Sequence, residues 1–198
     1  MKGFTVWITG LPGSGKSELA QALAKRLSER GRSVEVIDSG ALRGTPLASS
    51  LGFSRAERVQ NNRRHGFAAK LLSKNGVVAI VSAVSPYRDT REGLRAELER
   101  FVEVHVNTPK AACIDRDAKG VWKKALAGEI RDFTGVDDPY EEPLAAEFAF
   151  DITTTTPEEG AVALIRRLVK LEYLTGTTSP GLTEDSLREH LEGVGFSE

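Results

Sequence analysis

The apolar positions of this chain fall into short strand-like runs separated by longer helical stretches. Phe4-Thr5-Val6-Trp7-Ile8-Thr9 is β-branched and aromatic, the composition of a buried strand. Residues 18–27 are good helix formers, with Leu19, Leu23 and Leu27 on one face. Val34-Glu35-Val36-Ile37 reads as a second strand after the stop signal Arg30-Gly31. Ser54-Arg55-Ala56-Glu57 has the capping-box pattern and predicts a long helix running to Lys74, ended by Asn75-Gly76. Val77-Val78-Ala79-Ile80-Val81 is a continuous apolar run, as a strand buried on both faces should be. The pattern then predicts a helix over 90–100, a strand over 102–106 and a last strand over 148–152. Pro157 suits the first turn of a closing helix, capped by Thr156, with Glu158 and Glu159 near its positive end.

Strands alternating with helices imply an α/β fold, a parallel sheet covered by helices on both faces. Ligands of such sheets bind beyond the carboxyl ends of the strands. Residues 109–143 break the alternation. They are dense in Lys, Arg, Asp and Glu and predict short amphipathic helices, a candidate lid rather than a solvated hairpin. After Leu174, Thr175-Gly176-Thr177-Thr178-Ser179-Pro180-Gly181 reads as a breaker-rich linker. Residues 183–191 then predict a short helix, with Leu187 and Leu191 one turn apart. The chain therefore divides into one domain over 1–174 and a linker with a short helical tail over 175–198.

Composition narrows the class. With 198 residues the chain can bury a core without staples, and 27 basic against 28 acidic side chains favour neither nucleic acid nor a membrane. Cys113 is the only cysteine, so no internal disulfide forms and no cysteine-based metal site is suggested. The sequence shows neither a signal peptide nor an apolar run of membrane-spanning length, and a cytoplasmic enzyme is the expectation. No role is assigned to His65, His105 or His190.

Chemistry enters at Gly10-Leu11-Pro12-Gly13-Ser14-Gly15-Lys16-Ser17, which fits the phosphate-loop pattern G-x-x-x-x-G-K-[ST] without a gap. Chance alone gives that pattern in roughly one chain in a hundred of this length. The strand before it and the helix after it are the context the motif requires, so an ordinary Gly-rich turn is the weaker reading. Glycines such as Gly10, Gly13 and Gly15 let backbone N–H groups approach phosphate oxygens, and the helix N-terminus adds partial positive charge. Lys16 is expected to reach the β- and γ-phosphates of ATP, and the Ser17 hydroxyl to sit on Mg²⁺.

Four further stretches narrow the substrate. They are Leu51-Gly52-Phe53-Ser54 with Arg58, Asn61, Arg63 and Arg64; Ser85-Pro86-Tyr87-Arg88; the run from Arg116-Asp117-Ala118-Lys119-Gly120 through Ala125; and Phe133-Thr134-Gly135-Val136-Asp137-Asp138-Pro139-Tyr140-Glu141. In that order the chain resembles the adenylylsulfate kinase (APS kinase) family over about residues 4 to 174. The resemblance implies a three-layer P-loop NTPase fold and transfer of the ATP γ-phosphate to the 3′-hydroxyl of adenosine 5′-phosphosulfate. It implies that Phe53 stacks on the acceptor's adenine with Phe133 on the other side. Arg43, Arg58 and Asn61 would hold the phosphosulfate and ribose, with Val84 and Ser85 beside the acceptor. Lys16, Arg116, Lys119, Lys123 and Lys124 are the candidates for neutralising charge during transfer. A homodimer is also implied.

One departure bears on the acceptor. The family usually carries Asp-Gly-Asp-Asn where this chain has Asp38-Ser39-Gly40-Ala41. Asp38 keeps the first carboxylate, for holding Mg²⁺ through water or for orienting or deprotonating the attacking hydroxyl. The second carboxylate is lost at Gly40. The stretch 44–50 is also longer by a residue and less charged than is usual. Two alternatives therefore stay open: a kinase of the same architecture acting on another 5′-substituted nucleotide, such as a cytidine diphosphoramidate, and a nucleotide-binding sensor or pseudo-kinase.

Overall fold

The computed structural model describes residues 2–43, 45 and 51–175. Its centre is β1 (Phe4–Gly10), buried along its whole length. Successive residues of β1 point to opposite faces. Phe4, Val6 and Ile8 enter one apolar cluster and Trp7 enters another. β1 is flanked by β3 (Val78–Ser82) and β4 (Phe101–Val106), β2 (Val34–Asp38) pairs with β3, and β5 (Phe148–Phe150) pairs with β4. Every pairing is parallel and the order is β2-β3-β1-β4-β5. In that register Asp38 lies opposite Ser82, and Ser82 opposite Ile8, so the carboxyl ends of three strands finish together.

The expected layers are present. On one face α1 (Lys16–Glu29) sets Leu19, Leu23 and Leu27 against Leu164 and Leu168 of α7 (Pro157–Lys170). On the other face α3 (Arg55–Lys74) and α4 (Arg88–Glu97) contribute Ala69 and Leu94 to the cluster around Trp7. The capping box anticipated at Ser54 forms, closed by Glu57, and the cap anticipated at Thr156 forms as well, with Glu159 completing a second box there.

Differences from expectation lie at element ends. The helix anticipated over 90–100 occupies Arg88–Glu97, because Leu98 turns extended and buries its side chain, letting β4 start at Phe101. The last strand ends at Phe150. Asp151 then accepts hydrogen bonds from the backbone and hydroxyl of Thr153 and turns the chain away. A short helix, α2 (Ser39–Leu42), follows β2 and is capped by the Asp38 carboxylate.

Residues 109–143 carry α5 (Lys110–Asp115), α6 (Val121–Leu126) and irregular chain. They hold an apolar cluster of their own, Cys113, Trp122, Ala125 and Phe133, with Leu11 of the phosphate loop packed against it. The segment is thus seated on the loop, unlike a fully solvated hairpin. The stretch 44–50, apart from Thr45, and the tail from residue 176, including the helix expected over 183–191, lie outside the described residues. Among the described residues no helix is long and apolar enough to cross a membrane.

Candidate active site

The carboxyl ends of β1, β2 and β3 open into a cleft of about 550 Å³. Its walls come from the loop after β1, the corner after β2, the start of α3, the exit of β3 and the 109–143 segment. Nearly all the residues singled out from sequence converge there.

The loop turns on Gly13 and Gly15, with φ of 77° and 101°, a region that side-chain-bearing residues rarely adopt. A Cβ at Gly15 would also come within 2.7 Å of Ile152. Lys16 and Ser17 then open α1 inside the cleft. The Lys16 ammonium folds back, donating to the Leu11 carbonyl at 2.7 Å, with Ser14 Oγ at 3.4 Å. Burial pushes its pKa down to about 8, against the pull of Cys113, Asp38 and Glu18. Gly10 and Ser14 do not line the cleft. They shape the loop from behind: a Cβ at Gly10 would meet the Val106 carbonyl at 2.5 Å, and the buried Ser14 accepts from Thr108 Oγ1 at its carbonyl.

Asp38 has both carboxylate oxygens engaged. Oδ1 accepts from the backbone N–H groups of Gly40 and Ala41 at 2.9 and 3.0 Å, and Oδ2 accepts from Ser17 Oγ at 2.5 Å. Burial alone would raise its pKa. The Ser17 hydroxyl, the Ala41 N–H, the Ser82 hydroxyl and the Gly40 N–H together outweigh that and hold it below the usual carboxylate value.

Across the cleft, Phe53 is 41% exposed and carries the Arg43 guanidinium 3.7 Å from its ring centroid. Arg43 also points towards the carbonyls of Leu51 and Gly52 at 3.4 and 3.3 Å. Arg58 is nearly buried, donating to the Phe53 carbonyl at 2.7 Å and the Asp132 carbonyl at 2.5 Å. It therefore ties α3 to the 109–143 segment. Asn61 donates to Ser39 Oγ at 3.0 Å. Val84 and Ser85 lie at the exit of β3. Ser85 is buried with φ of 42°, and its hydroxyl accepts from the Trp7 indole at 3.0 Å, so it also anchors the strand end.

Above the loop, Trp122 donates to the Pro12 carbonyl at 3.0 Å and packs edge-on against Phe133. Arg116 reaches the Gly13 carbonyl at 3.3 Å and pairs with Glu18 at 2.7 Å. Arg116 and Lys119 line the cleft; Lys123 and Lys124 are exposed and do not.

Comparison with known proteins agrees with this geometry. The family described as adenylylsulphate kinase matches residues 2–151. The chain belongs to the adenylylsulphate kinase family. An adenylyl-sulfate kinase of Rippkaea orientalis is 48% identical over 173 residues, covering 87% of this chain and 95% of that protein. The structure of the Mycobacterium tuberculosis APS kinase CysC in complex with AMPPNP and APS superimposes with a TM-score of 0.80 at 40% identity, over 84% of this chain and 98% of that one. Shikimate kinase from Aquifex aeolicus, at 16% identity and a TM-score of 0.51, shares the fold alone, over 87% of this chain and 100% of that one. This member of the adenylylsulphate kinase family is a kinase built on a parallel α/β sheet.

Sequence reasoning passed over two residues of the cleft region. Asn62 lines the cleft, and His65, given no role, is 3% exposed one turn further along α3. Their burial comes to light only in the folded helix, whose inward stripe reads Arg58, Asn61, Asn62, His65 and Gly66 before it turns apolar at Ala69. A buried helix stripe that is polar over two turns faces something other than core.

Proposed function

We propose that the protein transfers the γ-phosphate of ATP to the 3′-hydroxyl of adenosine 5′-phosphosulfate, giving 3′-phosphoadenosine 5′-phosphosulfate. The observation that carries this reading is the single cleft with a phosphate loop on one wall and Arg43, Phe53 and Arg58 on the other. Two anionic nucleotides need two such walls facing each other. The Gly13–Ser17 stretch holds the donor phosphates. Phe53 and Phe133 flank the acceptor's base, while Arg43, Arg58 and Asn61 hold its oxyanions and ribose beside Val84 and Ser85.

The donor set fits Mg²⁺. Ser17 Oγ and Asp38 Oδ2 are hard oxygen ligands that meet within the cleft, and the described residues hold no cluster of His, Cys, Asp and Glu that could cage a metal by itself. A cation shared with substrate phosphates suits that arrangement. When bound, Mg²⁺ neutralises phosphate charge during transfer. Lys16 supplies positive charge at the β- and γ-phosphates once it leaves the Leu11 carbonyl. The lowered pKa of Asp38 makes it a fixed negative charge that orients groups, and a poor proton acceptor. Arg116 and Lys119 add charge from above, and closure of the 109–143 lid over both nucleotides excludes water.

A cytoplasmic location and a homodimer belong to the same proposal. Phe67 and Leu71, one turn apart on α3 and 66% and 51% exposed, support a second copy there. The test of the reaction is a coupled ATP-consumption assay across a panel of 5′-substituted nucleotides, with products identified by mass. Phosphorylation of adenosine 5′-phosphosulfate is the expected result. Turnover only with a cytidine diphosphoramidate, or binding without turnover, would overturn it.

A further inference from the structure

Three side chains on one stripe of α3 have buried atoms with nothing to bond. Asn61 Oδ1, Asn62 Nδ2 and His65 Nδ1 are shielded from solvent and lack a hydrogen-bond partner among the described residues. The residues are all at least nine-tenths buried. Asn61 and Asn62 stand four and three residues before His65, so each shares a helix face with it. Native interiors rarely leave such atoms unpaired, and three together mark a place prepared for a polar guest.

Their position says where the guest comes from. Asn61 and Asn62 line the cleft. Asn61 also grips Ser39, and His65 lies within electrostatic reach of Asp38 and Arg43. The stripe therefore backs the corner after β2, where Gly40 and Ala41 have no polar side-chain atom.

Their chemistry says what the guest is. Amides carry no charge, and burial pushes the His65 pKa down to about 4, against the pull of Asp38, so its imidazole is neutral at pH 7. An amide oxygen, an amide N–H and a neutral ring nitrogen form a mixed acceptor and donor set. A hydroxyl, which both donates and accepts, satisfies such a set. An oxyanion does not, and the oxyanions have Lys16, Arg43 and Arg58.

We propose that Asn62 and His65, with Asn61, form a neutral floor that binds a ribose hydroxyl of the acceptor nucleotide and supplies the polar contacts that Gly40 and Ala41 cannot. The proposal rests on the acceptor reading above. A trapped water has the same hydrogen-bonding chemistry, and the experiment separates the two.

Calorimetry with a non-hydrolysable ATP analogue present would measure binding of adenosine 5′-phosphosulfate and its 2′-deoxy and 3′-deoxy forms. The proteins are the wild type, Asn62→Leu and His65→Leu. In the wild type, removing one of the two hydroxyls should weaken binding by about ten-fold. In the variants the parent nucleotide should already be weaker by a similar factor, and the same deletion should cost less than about two-fold more. Affinity for the ATP analogue should not move. If the wild type binds all three acceptors alike, the floor holds only water and the proposal falls; that result needs no variant to fold. Full hydroxyl discrimination retained in both variants overturns it equally. Failure of the wild type to bind adenosine 5′-phosphosulfate at all overturns the acceptor reading instead.

Discussion

The Ser17 hydroxyl donates to Asp38 Oδ2 at 2.5 Å, joining the first turn of α1 to the end of β2. Twenty-one residues separate them. They meet because β3 lies between their strands and brings Ser82, 3.4 Å from Ser17 Oγ, into the same corner. With its other oxygen held by two backbone N–H groups, Asp38 is locked as an anion. A locked anion can orient a hydroxyl or balance a cation, but it has little drive to take a proton.

That bears on the missing second carboxylate. Gly40 sits in α2 without a positive φ, and among the described residues a Cβ there would meet only Asp38 Oδ1, at 3.1 Å. Gly40→Asp should therefore fold with an almost unchanged Tm. Its new carboxylate would start from a Cβ set against the Asp38 anion. We expect kcat to stay within about three-fold of wild type or to fall, like charges at short range being unfavourable. A rise of about ten-fold at unchanged Tm would mean that the corner lacks a general base.

Lys16→Ala should nearly abolish phosphoryl transfer, because the variant loses the positive charge proposed to meet the phosphates. The fold should survive, since the ammonium is buried against its preference and bonds only the Leu11 carbonyl and Ser14. Thermal unfolding and turnover on one preparation check both halves. A stably folded variant with near wild-type turnover would remove this loop from the reaction.

What could be read from the chain follows the range of the interactions involved. The phosphate loop, the capping box at Ser54, the cap at Thr156 and the succession of strands and helices along the chain are local or periodic, so they were legible. The Arg58 guanidinium was legible as a candidate binder of anions but not as a clamp, because the carbonyl it holds belongs to Asp132, 74 positions away. Lys123 and Lys124 stood beside Lys119 as candidates in sequence, yet on α6 they are exposed outside the cleft, whereas Lys119, ahead of that helix, lines it. Asn62 and His65 were hidden because polar residues in a helix usually face water, and only packing against the sheet reveals that this stripe faces inward.

The two walls of the cleft should separate kinetically. Phe53→Ala removes an exposed ring that contacts Arg43 and little core, so its effect should fall on the acceptor KM, by roughly ten-fold for a contact of about 1–3 kcal/mol. Arg58→Ala should raise the acceptor KM at least as much. It should also lower Tm, since the carbonyls of Phe53 and Asp132 lose their donor. Affinity for an ATP analogue alone should hardly change in either variant. Loss of that affinity with a normal acceptor KM would mean that the donor and acceptor walls are exchanged.

The depressed pKa of Lys16 predicts a pH signature of donor binding. In the free protein burial holds the ammonium at about 8, below its ordinary 10.5. Phosphate oxygens in the loop favour the charged form and raise that value. Between the free and bound values the complex carries more protons than the free enzyme, so binding takes up protons. Well below pH 8 Lys16 is protonated in both states and contributes no uptake. At pH 8 it should contribute about half a proton, and near pH 9 almost one, while affinity weakens as pH rises through the free-enzyme pKa. Calorimetric titration of the wild type with an ATP analogue, in buffers of different ionisation enthalpy at each pH, measures the uptake directly. Lys16→Met, which keeps the stem without the titrating group, isolates the contribution of this residue from that of the nucleotide itself. Uptake at pH 8 to 9 that is equal in the wild type and Lys16→Met would show that Lys16 is not the group that meets the phosphates.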